Sequence, residues 1–428
     1  ADAITDQAGA GGTGAWSLVK NAPGTTILLG ANAYAGGTTV NSGILQGNTG
    51  SLQGQIVNNA TVVFQQTGAG SYAGDMSGTG TVTVSGTGDV TLAGTNTYSG
   101  GTTVTGGGRL LFTSDASLGA AGKTISVTDA AIGVGTGAGG QTFARPVTIA
   151  GSGGFFVDES VTNPVTWSGA IDGTGMLVKS GGGRLVLSGA KTYSGGTEVT
   201  GGFLLISDDA SLGAAGTGIT LNVGGIGTVK EAPASLTIGR AITLVDRGSV
   251  YVDNNPLTVS GPIGGSGQLI KDGAGALILT GTNTYSGGTF VARGTLQIAS
   301  DDKLGTAGTG VTLYNNAALF ATESFATSRH ITLLGAGGTL LVNGGKTLTL
   351  TGTVDGTNIL KVGDGTLILA GNSAYSGVTQ VFQGILQGNT TTVRGDIAFD
   401  ESPLSKTMVF DQATDGTFAG NIAGVGTT

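Results

Sequence analysis

Residues 271–298 read KDGAGALILT GTNTYSGGTF VARGTLQI, and the alternation in this stretch decides the fold. Leu277 and Leu279, then Leu296 and Ile298, place apolar side chains two apart. A period of two is the mark of a strand with one buried face. Between them lies Tyr285-Ser-Gly-Gly-Thr289, a turn-forming cluster. Paired glycines there supply backbone conformations that other residues avoid.

Working outward, the tyrosine phrase recurs. It stands at Tyr34-Ala-Gly-Gly-Thr-Thr-Val40, Tyr98-Ser-Gly-Gly-Thr-Thr-Val104, Tyr193-Ser-Gly-Gly-Thr-Glu-Val199 and Tyr375-Ser-Gly-Val-Thr-Gln-Val381. Five of the eight tyrosines of the chain lie in these phrases. Fourteen residues upstream of the tyrosine stands Lys20, Lys179, Lys271 or Lys361, with Val84 in the second copy. Downstream, Leu45, Leu110, Leu204, Leu296 and Leu386 occupy matching places. Three copies continue into Ser114-Asp-Ala-Ser-Leu-Gly119, Ser207-Asp-Asp-Ala-Ser-Leu-Gly213 and Ser300-Asp-Asp-Lys-Leu-Gly305. The spacing divides the chain into units 1–73, 74–168, 169–260, 261–351 and 352–419, two short units flanking three long ones. Residues 420–428 read as the start of a further unit, so the expectation is a fragment of a longer repeat protein.

Composition agrees with stacked short strands. The 428 residues include 85 Gly, 7 Pro, 2 Trp and no Cys, and only 10% are charged. Glycine keeps no third-residue period, which excludes collagen. The absence of Cys excludes a disulfide scaffold and suits passage through an oxidising periplasm. Val and Thr dominate the alternating runs, and Gly, Asn, Asp and Ser break them every few residues. No stripe of helical period is present; the best helical fragment is one turn at Asp209-Ala-Ser-Leu212. Modules of a β-sandwich would carry linkers and bulkier aromatics. A parallel β-solenoid instead buries a thin file of Val, Leu and Ile, each coil touching only its neighbours. The fold expected is therefore all-β: one continuous right-handed parallel β-helix over 1–428, the hand following from the general rule for parallel crossovers. Coils of about 20–25 residues stacked about 4.8 Å apart would make a single elongated rod of roughly 90–100 Å.

The phrases Leu92-Ala-Gly-Thr-Asn-Thr-Tyr-Ser-Gly-Gly-Thr102 and Gly281-Thr-Asn-Thr-Tyr-Ser-Gly-Gly-Thr289 resemble the passenger-associated transport repeats of Gram-negative autotransporters, the type V secretion systems. The likeness extends over all five copies; Val378 replaces the second glycine in the last. The resemblance implies a β-helical passenger displayed at the cell surface by an outer-membrane β-barrel translocator that lies outside this chain. It further implies an adhesive or structural role, in adhesion to host or sister cells or in biofilm. A stalk presenting an effector elsewhere is the alternative.

The residues themselves offer little chemistry. Net charge is −8 from 18 basic and 26 acidic residues, and the basic residues form no run, which argues against nucleic acid as a partner. His330 is the sole histidine, no Gly-x-Ser-x-Gly elbow occurs, and no cofactor or metal is indicated. Two Gly-Lys-Thr triplets, at Gly122 and Gly345, lack the upstream glycine of a phosphate loop. Matches to Gly-x-Gly-x-x-Gly at Gly9/Gly11/Gly14 and Gly135/Gly137/Gly140 are what a fifth glycine delivers by chance. The acidic pairs Asp208-Asp209, Asp301-Asp302, Asp158-Glu159 and Asp400-Glu401 are read as solvated turns, and a carbohydrate-active enzyme is the least favoured reading. The triplet Arg394-Gly395-Asp396 matches an integrin-recognition sequence, although Gly395 aligns with Gly54, a structural position of the first unit. Unpaired strands at the ends of such a solenoid would favour end-to-end self-association.

Overall fold

The computed structural model describes residues 15–135, 139–230 and 236–424. The first glycine cluster, Gly137 of the second, the opening of the first unit and residues 425–428 of the last lie outside the described residues. The chain is all-β, about 3% helix, with parallel strands stacked into a β-solenoid of about 19 turns. The residues group into two compact units, 1–217 and 218–428.

In the first unit one face stacks Thr25–Ile27, Ile44–Gly47, Thr61–Gln65, Thr81–Ser85, Thr102–Thr105, Ile125–Val134, Val147–Val157, Met176–Ser180 and Thr197–Val199, in that order. In the second unit Leu257–Val259, Ala276–Leu279, Thr295–Ile298, Ala318–Ala321, Gly338–Val342, Ile359–Val362, Thr379–Val381 and Ile397–Phe399 form one face. Phe325–Thr327, Thr347–Leu350, Thr366–Leu369, Gly384–Gly388 and Lys406–Phe410 form another. Register partners lie one coil apart, from 17 residues (Ile44 with Thr61) to 25 (Ile397 with Ile422). That range brackets the coil length read from the repeats.

Alternation makes the core. Val62, Val82, Thr102, Ile125, Val147 and Ile171 sit in one inward file, each in register with the next. All six are buried. Burying an aliphatic side chain of this size contributes about 1.5–3 kcal/mol, so the file supplies stability coil by coil. The aromatics concentrate at one level of the first unit. Phe112 packs edge-on against Phe143, Phe143 stacks on Trp167, and Phe155 meets Trp167 edge-on, with centroids 5.0–5.5 Å apart.

One threonine per repeat interrupts the file. Thr102 stands between Val82 and Ile125, Thr289 between Leu269 and Val311, and Thr379 between Ile359 and Ile397. A hydroxyl in an aliphatic file must be paired or pay its desolvation. The repeat tyrosine supplies the partner. Tyr34–Thr38, Tyr98–Thr102, Tyr193–Thr197, Tyr285–Thr289 and Tyr375–Thr379 share hydroxyl–hydroxyl hydrogen bonds of 2.6–2.9 Å, all buried. The glycines between them let the chain turn within four residues. Gly288 has φ +79°, and a Cβ on Gly287 would lie 2.4 Å from the Gly267 carbonyl carbon. In the fifth copy Val378 has no positive φ; its amide donates to Asn358 Oδ1 instead, and its carbonyl still accepts from Ile359, as the Gly288 carbonyl does from Leu269. The single turn read at Asp209–Leu212 is a 3₁₀ helix, repeated at Asp115–Leu118 and Asp301–Leu304.

This pairing predicts a specific non-additivity. Tyr285→Phe leaves the Thr289 hydroxyl buried without its partner and should cost about 1–2 kcal/mol. Thr289→Val added to it should recover most of that loss, as read from denaturant midpoints of the two variants and the double variant. Equal, additive losses would remove the pairing as a stabilising element.

Candidate functional site

The polar residues that recur from repeat to repeat are engaged between coils. Asn96 Nδ2 donates to the Ser117 carbonyl at 2.6 Å, while its Oδ1 accepts from the Met76 amide at 2.8 Å. Asn283 does the same between the Lys303 carbonyl and the Ile263 amide. Both are buried, so one carboxamide links three successive coils. In the third copy Lys191 takes this place, donating to the carbonyls of Gly169 and Ser188. In the fifth it is Ser373, whose hydroxyl is buried and unpartnered.

The recurring lysines are also interior. Lys179, Lys271 and Lys361 are fully buried. Each ammonium donates to three carbonyl oxygens, two from its own turn and one from the next coil. For Lys271 these are Asp272, Gly273 and Arg293, at 2.9, 2.7 and 3.0 Å. For Lys361 they are Val362, Gly363 and Gln383, and for Lys179 they are Ser180, Gly181 and Gly201. Lys20 donates to the Ala22 and Ser42 carbonyls. Burial pulls Lys179 down to about 7 and Lys271 and Lys361 down to about 8. Burial pushes Tyr98 and Tyr285 up to about 12, against a smaller opposing contribution from their threonine partners.

A third set was not apparent from the motifs. Arg145 and Arg329 are 2% and 1% exposed. Arg329 clasps the Asp301 carboxylate through Nε and Nη2 at 2.8 and 3.1 Å. It also donates to the carbonyls of Asp301, Gly305, Thr306 and Thr309. Arg145 holds Asp115 in the same way and donates to the carbonyls of Leu118, Gly119 and Ala120. Each therefore ties down the 3₁₀ turn of the preceding coil. The reading of Asp301 as part of a solvated turn is corrected here: its carboxylate anchors a buried guanidinium. A signal existed in the sequence: Arg145-Pro-Val-Thr-Ile149, Arg240-Ala-Ile-Thr-Leu244 and Arg329-His-Ile-Thr-Leu333 repeat one pattern.

The other acidic pairs are not brought together into a site. Asp208 caps the Ala210 amide, Asp302 pairs with Lys303, and Asp400 with Lys406. Among the described residues no group of His, Asp and Glu is placed to hold a metal. His330 is half exposed and pairs with Asp355 at 2.8 Å. Among the described residues no helix is long and apolar enough to cross a membrane.

Arg394, Gly395 and Asp396 are exposed but lie flush in a coil. The Arg394 amide donates to the Tyr375 hydroxyl, and its Nε to the Ser373 carbonyl. Asp396 Oδ1 accepts from the Asn421 amide of the next coil, as Asp75 Oδ1 accepts from Thr95. Both charged side chains thus already join adjacent coils.

The passenger-associated-transport-repeat family matches residues 18–46, 82–110, 177–206, 269–298 and 359–387. Each match runs through a repeat tyrosine and its threonine partner. The chain carries five passenger-associated transport repeats. It is also 33% identical over 265 residues to the Adhesin BmaC autotransporter of Brucella suis biovar 1 (strain 1330). That similarity covers 54% of this chain and 7% of the relative, so the chain spans a small part of the relative's length. No solved structure matches. These are repeats of an autotransporter passenger, folded as a β-solenoid.

The buried lysines and tyrosines of this passenger predict a stability maximum in mild alkali. An unfolded lysine titrates near about 10.4, above the folded values of about 7 and about 8. Between those limits the unfolded chain binds more protons, so stability rises with pH. Above about 10 the unfolded tyrosines ionise while Tyr98 and Tyr285 hold their protons, so stability falls again. Thermal midpoints should peak between about pH 9 and 10, and Lys271→Met should flatten the rising limb. A midpoint that declines steadily from pH 7 would contradict the burial of these amines.

Proposed function

We propose that this chain is a structural and adhesive segment of a surface-displayed passenger, exported through its own outer-membrane β-barrel and acting without catalysis. The supporting observation is where the recurring polar residues go. The recurring tyrosines turn inward and close their own turns on threonine, and the asparagines, lysines and arginines, where the repeats carry them, turn inward and join coils. The repeat signature therefore serves the scaffold. Recognition falls to what differs between repeats: the outward side chains of the faces and the turns.

Resemblance to a protein named as an adhesin favours contact with another surface over passive spacing. The partners in this reading are a host-cell or sister-cell surface. A parallel solenoid suits the task because its faces offer side chains at a regular spacing of about 4.8 Å along the axis. Stability built from neighbour-to-neighbour terms also allows folding to proceed coil by coil as the chain emerges.

The test is display of residues 1–428 on cells through an unrelated barrel. The reading predicts clumping of the displaying cells, or attachment to host cells, above that of cells bearing the barrel alone. Display verified by antibody with neither clumping nor attachment would assign the segment to the role of a stalk.

A further inference from the structure

On the first unit, outward side chains form a lateral groove of about 250 Å³ lined by Thr91, Arg109, Leu111, Phe112, Thr113, Gly135, Phe156 and Asp158. Register places its walls. Thr91, Leu111, Gly133 and Phe156 are successive partners on one outward rank. Phe156 packs directly against Gly133, where a Cβ would come 2.1 Å from the Phe156 carbonyl oxygen. The open space lies beside Gly135, where a Cβ would meet only Leu111 Cδ1 at 3.9 Å.

The walls are held in place. Arg109 donates from Nε and Nη2 to the two oxygens of Asp89, and its guanidinium carbon lies 4.0 Å from the centroid of the Phe156 ring. Asp158 Oδ1 is occupied by the amide and hydroxyl of Ser160. Two groups remain unspent among the described residues: Arg109 Nη1, a donor, and Asp158 Oδ2, an acceptor. Between them lie the half-buried hydrocarbon of Leu111 and Phe156, with the Thr91 and Thr113 side chains at the rim.

An apolar floor flanked by one free donor and one free acceptor matches the two kinds of surface of a pyranose, its C–H face and its hydroxyl edge. The charge selects further. Arg109 is paired bidentately with Asp89 and also attracts Asp158, so one cation faces two carboxylates and the net negative charge disfavours an anionic sugar. The volume is below the roughly 300–1,000 Å³ of sites for drug-sized ligands, which limits the occupant to one or two rings. We propose that this groove is a binding subsite for a neutral hexose unit of a surface glycan. The proposal deepens the adhesive reading and rests on it.

The probes are lactose, maltose and cellobiose, each titrated into the full chain and followed by saturation-transfer NMR. So few contacts correspond to a Kd on the order of 1 mM, so titration to about 20 mM reaches saturation. At least one disaccharide should show transfer to ring C–H protons. Arg109→Gln and Phe156→Ala should each weaken it by about tenfold or more. Thr91→Trp, which fills the groove and leaves the Arg109–Asp89 pair intact, should abolish it. Circular dichroism and the thermal midpoint establish that each variant is folded; where Phe156→Ala unfolds, Thr91→Trp decides. Absence of transfer from all three sugars, or binding unchanged in Arg109→Gln and Thr91→Trp, overturns the subsite. Displaying cells that still attach to their partner when Thr91→Trp is present would overturn the groove's role while leaving the adhesive reading standing. Attachment that a peptide fraction blocks and the sugars do not would count against it equally.

Discussion

A polar atom that enters the inward file is costly unless it finds a partner within its own turn or on the next coil. A parallel solenoid has a core one side chain deep, and water cannot reach a threonine set between Val82 and Ile125. The Tyr98 hydroxyl meets that threonine at 2.7 Å, and the glycines between them let the chain fold back far enough to do so. The same constraint accounts for the lysine amines under three carbonyls and the asparagines spanning three coils. Buried ammonium and guanidinium groups are costly unless their donors are satisfied. Here they are satisfied mainly by main-chain oxygens at turns.

The result is a division of labour within each coil. Aliphatic files supply stability in proportion to length, and the polar residues decide which turn sits over which. Lys271 reaches a carbonyl of the next coil at Arg293, and Arg329 reaches back to the turn at Asp301. Such contacts penalise a slipped register, because a shift of one residue would turn aliphatic side chains outward and strand the charges inside. With register set from within, outward positions are free to vary, and it is there that the groove beside Gly135 arises.

Much of this was legible from residues alone. Alternation such as Leu277/Leu279 gave strands, the recurring tyrosine phrase gave coils, and the single turn at Asp209 emerged as read. The role of the tyrosine was not legible, since Thr289 reads equally well as a β-former. The lysines stand 14 residues before four of the five repeat tyrosines. Their inward direction depends on strand phase, which a charged residue obscures. The pairing of Arg145 and Arg329 is not legible in the sequence, because their partners lie 30 and 28 residues upstream, a separation set by the length of an irregular coil. The groove was invisible for the same reason. Coils of 17 to 25 residues do not reveal which outward residue a given glycine will stand beside.

The stacking itself is open to direct measurement, because the chain has no cysteine of its own. Thr312 and Thr332 are outward register partners on adjacent coils, and Thr332 is followed by Asp355 one coil further on. Cysteines placed at 312 and 332 should be about 4.8 Å apart at Cα and oxidise readily to a disulfide. Cysteines at 312 and 355, two coils apart at about 9.6 Å, should not. Rapid oxidation of the first pair alone is the result that parallel in-register stacking requires; equal oxidation of both pairs, or of neither, would contradict it.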